Sequence, residues 1–283
     1  MCAYKDTHAK NTHSSMPINL FRKIIDEFTG LGVLRSVALS LQCEPLLDKE
    51  LCHKIEYIKK KDINIKCSIS TNGILLTSEK LQELCNCGLD GLGISLNAVN
   101  ETTFSLVCGV NGYNQFMKNL FYVIENKPDN LSLSFSSMLV KENFMEIFPK
   151  KHAVFDLIKQ AGFPVSIGPI SNHCGSLPNY EKHLVLPELQ SSTKKLYCHD
   201  IIELVYVLFN GHVIGCCSDF RKKFLLGNLN EQNFIDIWNS NECEKRRQDM
   251  MYGNLYEIEP CRECSQAWNI MKNRGVEKKK DGA

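Results

Sequence analysis

Between residues 17 and 170 the chain alternates helical and extended patterns without a break, and this alternation restricts its fold more than any other feature. Pro17–Leu31 carries Ile18, Phe21, Ile24, Ile25 and Phe28 at helical spacing, with the proline suited to a first turn and Gly30 or Gly32 to the stop. Predicted strands follow at 34–41, 63–69, 91–96, 131–140 and 164–167, separated by predicted helices at 48–61, 78–87, 113–126 and 143–161. Strands spaced by helices cannot close hairpins. They pair in parallel through right-handed crossovers, which winds the series into an open or closed α/β barrel.

In such barrels ligands collect at the C-terminal ends of the strands. Here those ends read Gln42-Cys43-Glu44-Pro45, Ser70-Thr71-Asn72-Gly73, Ser95 with Asn97, Ser136-Ser137 and Gly168-Pro169. Each piece alone is accounted for by turn chemistry. Five polar strand ends in succession mark one edge of the sheet as a binding edge, with Glu44 as its carboxylate.

A second pattern lies near the other end. Cys261-Arg-Glu-Cys264 is a C-x-x-C pair, which presents two thiolates from one short piece of backbone. Cys198 and Cys216 flank a predicted hairpin: an extended run at 203–209, the turn signal Asn210-Gly211, and a return at 212–216. On spacing alone, four cysteines of this kind suit tetrahedral zinc and an iron–sulfur cluster equally. Residues 171–197, with Pro178 and Pro187 and weak periodicity, read as a linker; 268–283 reads as one or two helical turns and then a frayed tail ending in a lysine run.

Composition removes several function classes. With 33 basic and 32 acidic residues there is no bulk attraction to nucleic acid or to an anionic membrane. No apolar run reaches the roughly 18 residues needed to span a bilayer, and the first residues do not form a signal peptide, so a cytoplasmic protein is expected. Fourteen cysteines in that compartment are kept reduced, which favours metal or cluster ligation by a spaced subset. Cys52, Cys67 and Cys85 fall in regular patterns and read as small buried side chains.

The order of motifs at the C-terminal end resembles the SPASM or "twitch" auxiliary-cluster domain of radical S-adenosylmethionine (SAM) enzymes. In that family a cysteine precedes a strand, a glycine falls four residues before the next cysteine, "GN" and "IWN" follow, and a C-x-x-C closes the set. Cys198, Gly211, Cys216, Gly227-Asn228, Ile237-Trp238-Asn239 and Cys261/Cys264 occupy these places, and the glycine spacing favours Cys216 over Cys217. The N-terminal part resembles the radical SAM core. Cys43-Glu44-Pro45 stands where the family has "GGEP", Thr71-Asn72-Gly73 matches its "TNG", and Ile94-Ser95-Leu96-Asn97 matches its "ISLN". One departure concerns the family's C-x-x-x-C-x-x-C, which holds the cluster that chelates SAM. Cys2 aligns with its third cysteine, which implies two ligands and a first strand encoded upstream, or a degenerate member.

The resemblance therefore implies an α/β protein: a partial (β/α)6 TIM-like barrel lacking its first strand over 1–170, a linker to 197, and a small cysteine-rich α+β domain over 198–267. It implies SAM bound by Glu44, Pro45, Thr71, Asn72, Ser95 and Asn97, with Glu44 toward the methionine amino group and Ser95 and Asn97 toward sugar or carboxylate. Capping of the following helix is the competing role for Glu44. Cys2 belongs to an incomplete SAM-site [4Fe–4S] cluster, and Cys198, Cys216, Cys261 and Cys264 to a fully ligated auxiliary [4Fe–4S] cluster for electron transfer. The implied activity is hydrogen abstraction from a peptide or small-molecule substrate by a 5′-deoxyadenosyl radical, with flavodoxin or ferredoxin as reductant. A structural zinc protein and a non-catalytic paralogue are the rival readings.

Overall fold

The computed structural model describes residues 15–267 apart from 151, 178, 186–197 and 199. Cys2, most of the second half of the expected linker and the expected C-terminal tail lie outside the described residues. The chain divides into two compact units; among the described residues the first holds 17–170 and 183–185, the second 171–177, 179–182 and 198–267 without 199.

The first unit is built on five parallel strands in sequential order: β1 (Ser36–Ala38), β2 (Lys66–Thr71), β3 (Gly91–Ser95), β4 (Ser132–Leu139) and β5 (Val165–Pro169). Every crossover steps in the same direction, which is the winding of a (β/α) barrel and puts the connecting helices on one face. These are α1 (Ile18–Gly30), α2 (Leu51–Lys61), α3 (Ser78–Asn86), α4 (Glu101–Cys108), α5 (Tyr113–Asn126), α6 (Phe144–Ile147) and α7 (Ala153–Gln160). Their apolar stripes supply Phe21, Ile24, Ile55, Ile58, Leu84, Phe116, Leu120 and Ile158 to the core, each below a tenth exposed. Burial of one such side chain contributes about 1.5–3 kcal/mol, which makes this stripe the main stabilising element of each helix.

The two faces of the sheet differ sharply. Cys67, Ile69, Leu92, Ile94, Leu133 and Phe135 are buried, whereas their alternates form register-matched rows: Ser68–Gly91–Ser132, Ser70–Gly93–Ser134 and Ser95–Ser136–Ser166. Members of these rows are exposed or half-buried. Parallel strands are ordinarily apolar on both sides, and a barrel lumen is ordinarily filled by branched residues. Serine and glycine instead leave this face low and polar.

Three differences from the sequence expectation have local causes. The helix expected over 143–161 is two helices, α6 and α7, with Pro149 between them; proline lacks the N–H and clashes with the preceding turn. α7 restarts where His152 Nδ1 accepts the Val154 N–H at 3.3 Å. Helix α4 was not expected; Asn100 Oδ1 caps it by accepting the Thr103 N–H at 2.9 Å. The helix expected from 48 begins at Leu51, after a short 3-10 turn at Pro45–Leu47.

The second unit contains a three-stranded antiparallel sheet, β6 (Tyr206–Val207), β7 (His212–Ile214) and β8 (Leu225–Asn228), with α8 (Asp200–Glu203), α9 (Phe234–Trp238), α10 (Asn241–Tyr252) and α11 (Glu259–Glu263). The Asn210-Gly211 turn is present: Gly211 N–H donates to Leu208 O at 2.9 Å with Gly211 at φ +87°. A side chain at 211 would also meet Asn230 Nδ2 at 2.3 Å, so both conformation and space call for glycine. Segment 171–177, expected to begin the linker, is packed into this unit.

Candidate cofactor sites

At the C-terminal edge of the parallel sheet, Glu44 ties β2 to the preceding loop. Its Oε1 accepts from Leu46 N–H at 3.1 Å and Thr71 Oγ1 at 2.7 Å, and its Oε2 accepts from Asn72 N–H at 2.9 Å. The carboxylate is thus a cap and a strand staple, and one lone-pair position on Oε2 stays open. Pro45 fills the first position of the 3-10 turn that Glu44 caps. Thr71 Oγ1 and Asn72 Oδ1 accept from Gly73 N–H and Ile74 N–H at 3.1 and 3.0 Å, which closes the turn after the strand.

Ser95 and Asn97 sit one strand along. Ser95 is half-buried on the open face, in the row with Ser136. Asn97 Oδ1 accepts the Met138 N–H at 2.8 Å, so its amide oxygen joins β3 to β4 and its Nδ2 is the group left to donate. Asn143, unremarked in the sequence, locks this corner. Its Nδ2 donates to Asn97 O at 2.9 Å and Met138 O at 2.7 Å, while its Oδ1 accepts from Val140 N–H at 2.9 Å. All six expected cofactor residues therefore lie at the strand ends, and most of their polar atoms build the edge itself.

The second unit gathers thiols. Cys174, Cys216 and Cys261 share one buried apolar cluster with Phe224, Met250, Leu255 and Ile258, and half-buried Cys198 and Cys264 pack against it. All four expected ligands therefore border one cluster, in which Cys243 is buried as well. The Cys217 thiol lies beside that of Cys216, and with the Asp200 carboxylate the two form a group whose ligand atoms all lie within 4.8 Å of one another. Cys217 also donates to Asp200 Oδ2 at 4.0 Å and meets the Tyr206 hydroxyl, so both adjacent thiols stand at the site. Asp219 is 1% exposed and accepts the Phe224 N–H on Oδ2 at 2.7 Å, which closes the loop between β7 and β8.

Crowding of these thiols opposes their ionisation. Burial, then the neighbouring Cys198 and Asp200, pushes Cys261 up to about 12. Hydrogen bonding with Cys174, opposed by Cys217 and reinforced by burial, pushes Cys216 up as well. Thiolates so close together need a cationic centre to offset their repulsion, and an all-sulfur donor set suits an iron–sulfur cluster or zinc. The residues present fit such a group.

Cys174 was missed by sequence reasoning. It lies in the stretch read as a linker, outside the spacing pattern of the other four, and its one signal was a cysteine among turn-forming residues. The structure sets it against Cys216 and Cys264.

Comparison with known proteins identifies the family. Residues 1–147 match the model of the radical SAM superfamily, and residues 198–265 match the SPASM iron–sulfur cluster-binding domain. The chain is 24% identical to a tungsten-containing aldehyde ferredoxin oxidoreductase cofactor-modifying protein of Pyrococcus furiosus, over 82% of this chain and 75% of that protein. It is 22% identical to the S-adenosyl-L-methionine-dependent 2-deoxy-scyllo-inosamine dehydrogenase of Niallia circulans, over 87% of this chain and 79% of that one. Among solved structures, BtrN in complex with AdoMet and 2-DOIA superposes with a TM-score of 0.62 at 19% identity, covering 93% of this chain and 86% of BtrN. Streptococcus suis SuiB bound to precursor peptide SuiA gives 0.61 at 16% identity, covering 95% and 67%. No helix of the described residues is long and apolar enough to cross a membrane. With the superfamily model spanning more than half of its length, and an iron–sulfur cluster-binding domain behind it, the chain belongs to the radical SAM superfamily.

Proposed function

We propose that, where the three thiolates of the SAM-site cluster are complete, the protein is an oxidoreductase in which reductive cleavage of SAM supplies a 5′-deoxyadenosyl radical that takes a hydrogen atom from substrate, the remaining electron leaving to an auxiliary [4Fe–4S] cluster. The observation that carries this reading is the convergence of Cys198, Cys216, Cys261 and Cys264 on one buried site behind a serine- and glycine-faced parallel sheet in sequence. Four protein thiolates leave no iron open, which favours electron transfer over substrate chelation.

This chain's own residues then position and exclude. Glu44, with Thr71 and Asn72, holds the strand edge rigid and offers its open Oε2 lone pair to the methionine ammonium. Ser95 Oγ and Asn97 Nδ2 are donors for the sugar or carboxylate. The low rows of Ser70, Gly93, Ser134 and Ser136 leave room above the sheet for a cofactor and a substrate together. A peptide or a small metabolite is the substrate class; relatives act on both kinds, one being a 2-deoxy-scyllo-inosamine dehydrogenase and one being bound to a precursor peptide. Flavodoxin or ferredoxin is the reductant class.

The test is anaerobic reconstitution followed by reduction in the presence of SAM. Formation of 5′-deoxyadenosine and methionine, with labile sulfide in the protein, supports the proposal. One tightly held zinc with no sulfide and no cleavage supports the structural zinc reading, which the same thiol geometry serves.

A further inference from the structure

Beside the four expected ligands and the buried Cys243, the cluster in the second unit holds a further thiol, Cys174, kept there by its own segment. Cys174 is 4% exposed, and its thiol meets those of Cys216 and Cys264. Three successive residues, His173 (φ +47°), Cys174 (φ +53°) and Gly175 (φ +76°), take the left-handed conformation to deliver it. Two of them carry side chains, for which that conformation is unfavourable, so surrounding contacts must impose it.

Those contacts go to the C-x-x-C turn. Ser265 N–H donates to Asn172 Oδ1 at 3.0 Å, Asn172 N–H donates to Ser265 Oγ at 3.3 Å, and Asn172 Nδ2 donates to Glu263 O. Arg221 bridges the same two pieces, from Glu263 Oε2 at 3.1 Å to Gly175 O at 2.5 Å. A Cβ at Gly175 would lie 1.9 Å from Glu263 Oε2 and would displace that carboxylate from Arg221, while the φ of +76° itself favours glycine. The segment bearing Cys174 is thereby locked to the turn bearing Cys261 and Cys264.

We propose that Cys174 is a reserve ligand of the auxiliary cluster, able to take an iron when one of the other four cysteines is lost. This rests on the reading above that the site holds an iron–sulfur cluster. A thiol touching two ligand sulfurs reaches the same iron atoms by a side-chain rotation, whereas a thiol elsewhere on the surface does not.

The experiment measures iron, labile sulfide and cysteinyl-cluster absorption per chain after anaerobic reconstitution of the full chain. Wild type, Cys174→Ala, Cys264→Ala and the double variant are compared, with circular dichroism as the check on folding. Cys264→Ala is expected to keep about the wild-type content at this site, and the double variant to hold clearly less. A folded Cys264→Ala protein that has lost this cluster while Cys174 is intact, or a double variant that keeps as much as the single one, overturns the proposal. Should Cys264→Ala not fold, Cys216→Ala with and without Cys174 decides by the same readings. A wild-type chain that binds zinc and no sulfide overturns the cluster reading itself, and with it this proposal; the two failures differ in whether the wild type or the variant is empty.

Discussion

Asn172 and Ser265 hold each other reciprocally across 93 positions of sequence, each donating a backbone N–H to the other's side-chain oxygen. Asn172→Ala removes one acceptor and the donor to Glu263 O, leaving half-buried backbone groups unpaired. It is expected to destabilise the second unit by about 1–3 kcal/mol. Iron uptake at the thiol site should fall with it, since the docked segment frames that site. Thermal unfolding and iron content of the variant check this, and an unchanged melting curve would count against the docking.

Glu44 offers a sharper substitution. Glutamine keeps the length and one acceptor oxygen, so Leu46 N–H and Thr71 Oγ1 stay satisfied. Its amide nitrogen, however, then faces the Asn72 N–H, donor against donor. Glu44→Gln should cost about 1–3 kcal/mol in stability and weaken SAM binding at the same time. Calorimetric titration with SAM reads the second effect; full affinity in a destabilised variant would confine Glu44 to its capping role.

Much of the edge was legible in the sequence, because each element carried its own signal. Apolar periodicity marked α1, α3 and α5, and Asn210-Gly211 marked the β6–β7 turn. Pro149 was an equally plain signal for ending a helix, outvoted by the apolar pattern over 143–161, and Asn100 was one for starting a helix in a stretch where no element was expected. Cys174 was of another kind. Its left-handed backbone is imposed by Asn172, Arg221 and Gly175 docking on residues near 263, and no local pattern encodes a contact over that separation. Ser70, Ser95 and Ser136 were legible as strand ends, but the rows of serine and glycine that continue from them along the open face were not, because alternation in a parallel sheet is uncommon.

Asp90 provides a pH signature for the first unit. Burial works against its ionisation, but the Cys67 N–H at 2.7 Å, Lys59 Nζ at 2.6 Å and Lys66 Nζ at 3.2 Å outweigh it and hold the carboxyl below its ordinary range. A lowered value in the folded state means that the unfolded chain binds the proton first. The stabilisation is therefore complete above the unfolded value of about 4 and is lost as pH falls through the folded one. Asp90→Asn should be less stable at pH 7 and show a flatter loss of stability between about pH 5 and 2. Chemical denaturation at a series of pH values measures both.

Cys261 and Cys264 separate the two cofactor sites functionally. Replacing both with alanine removes the C-x-x-C pair without touching the strand-end residues of the first unit. In protein whose SAM-site cluster is complete, reductive cleavage of SAM should persist, and product turnover should cease because the substrate-derived electron has no acceptor. Cleavage and turnover are assayed in the same reaction, and a variant that still turns over product removes electron transfer as the site's role.

The open face of the parallel sheet can be tested by filling it. Ser136 lies in the row nearest the strand ends, flanked by Ser95 and Ser166, while Ser132 lies at the start of the same strand on the same face. Both are exposed, so leucine at either position meets little resistance and should change stability by no more than about 0.5 kcal/mol. Their effects on ligand binding should differ. Ser136→Leu places a branched side chain in the proposed cofactor site and should weaken SAM binding at least tenfold, about 1.4 kcal/mol, whereas Ser132→Leu should leave it near wild type. Because the two variants share chemistry, strand and face, a difference between them isolates position along the strand. Equal loss would place the effect on the sheet as a whole; equal tolerance would remove this face from the binding site.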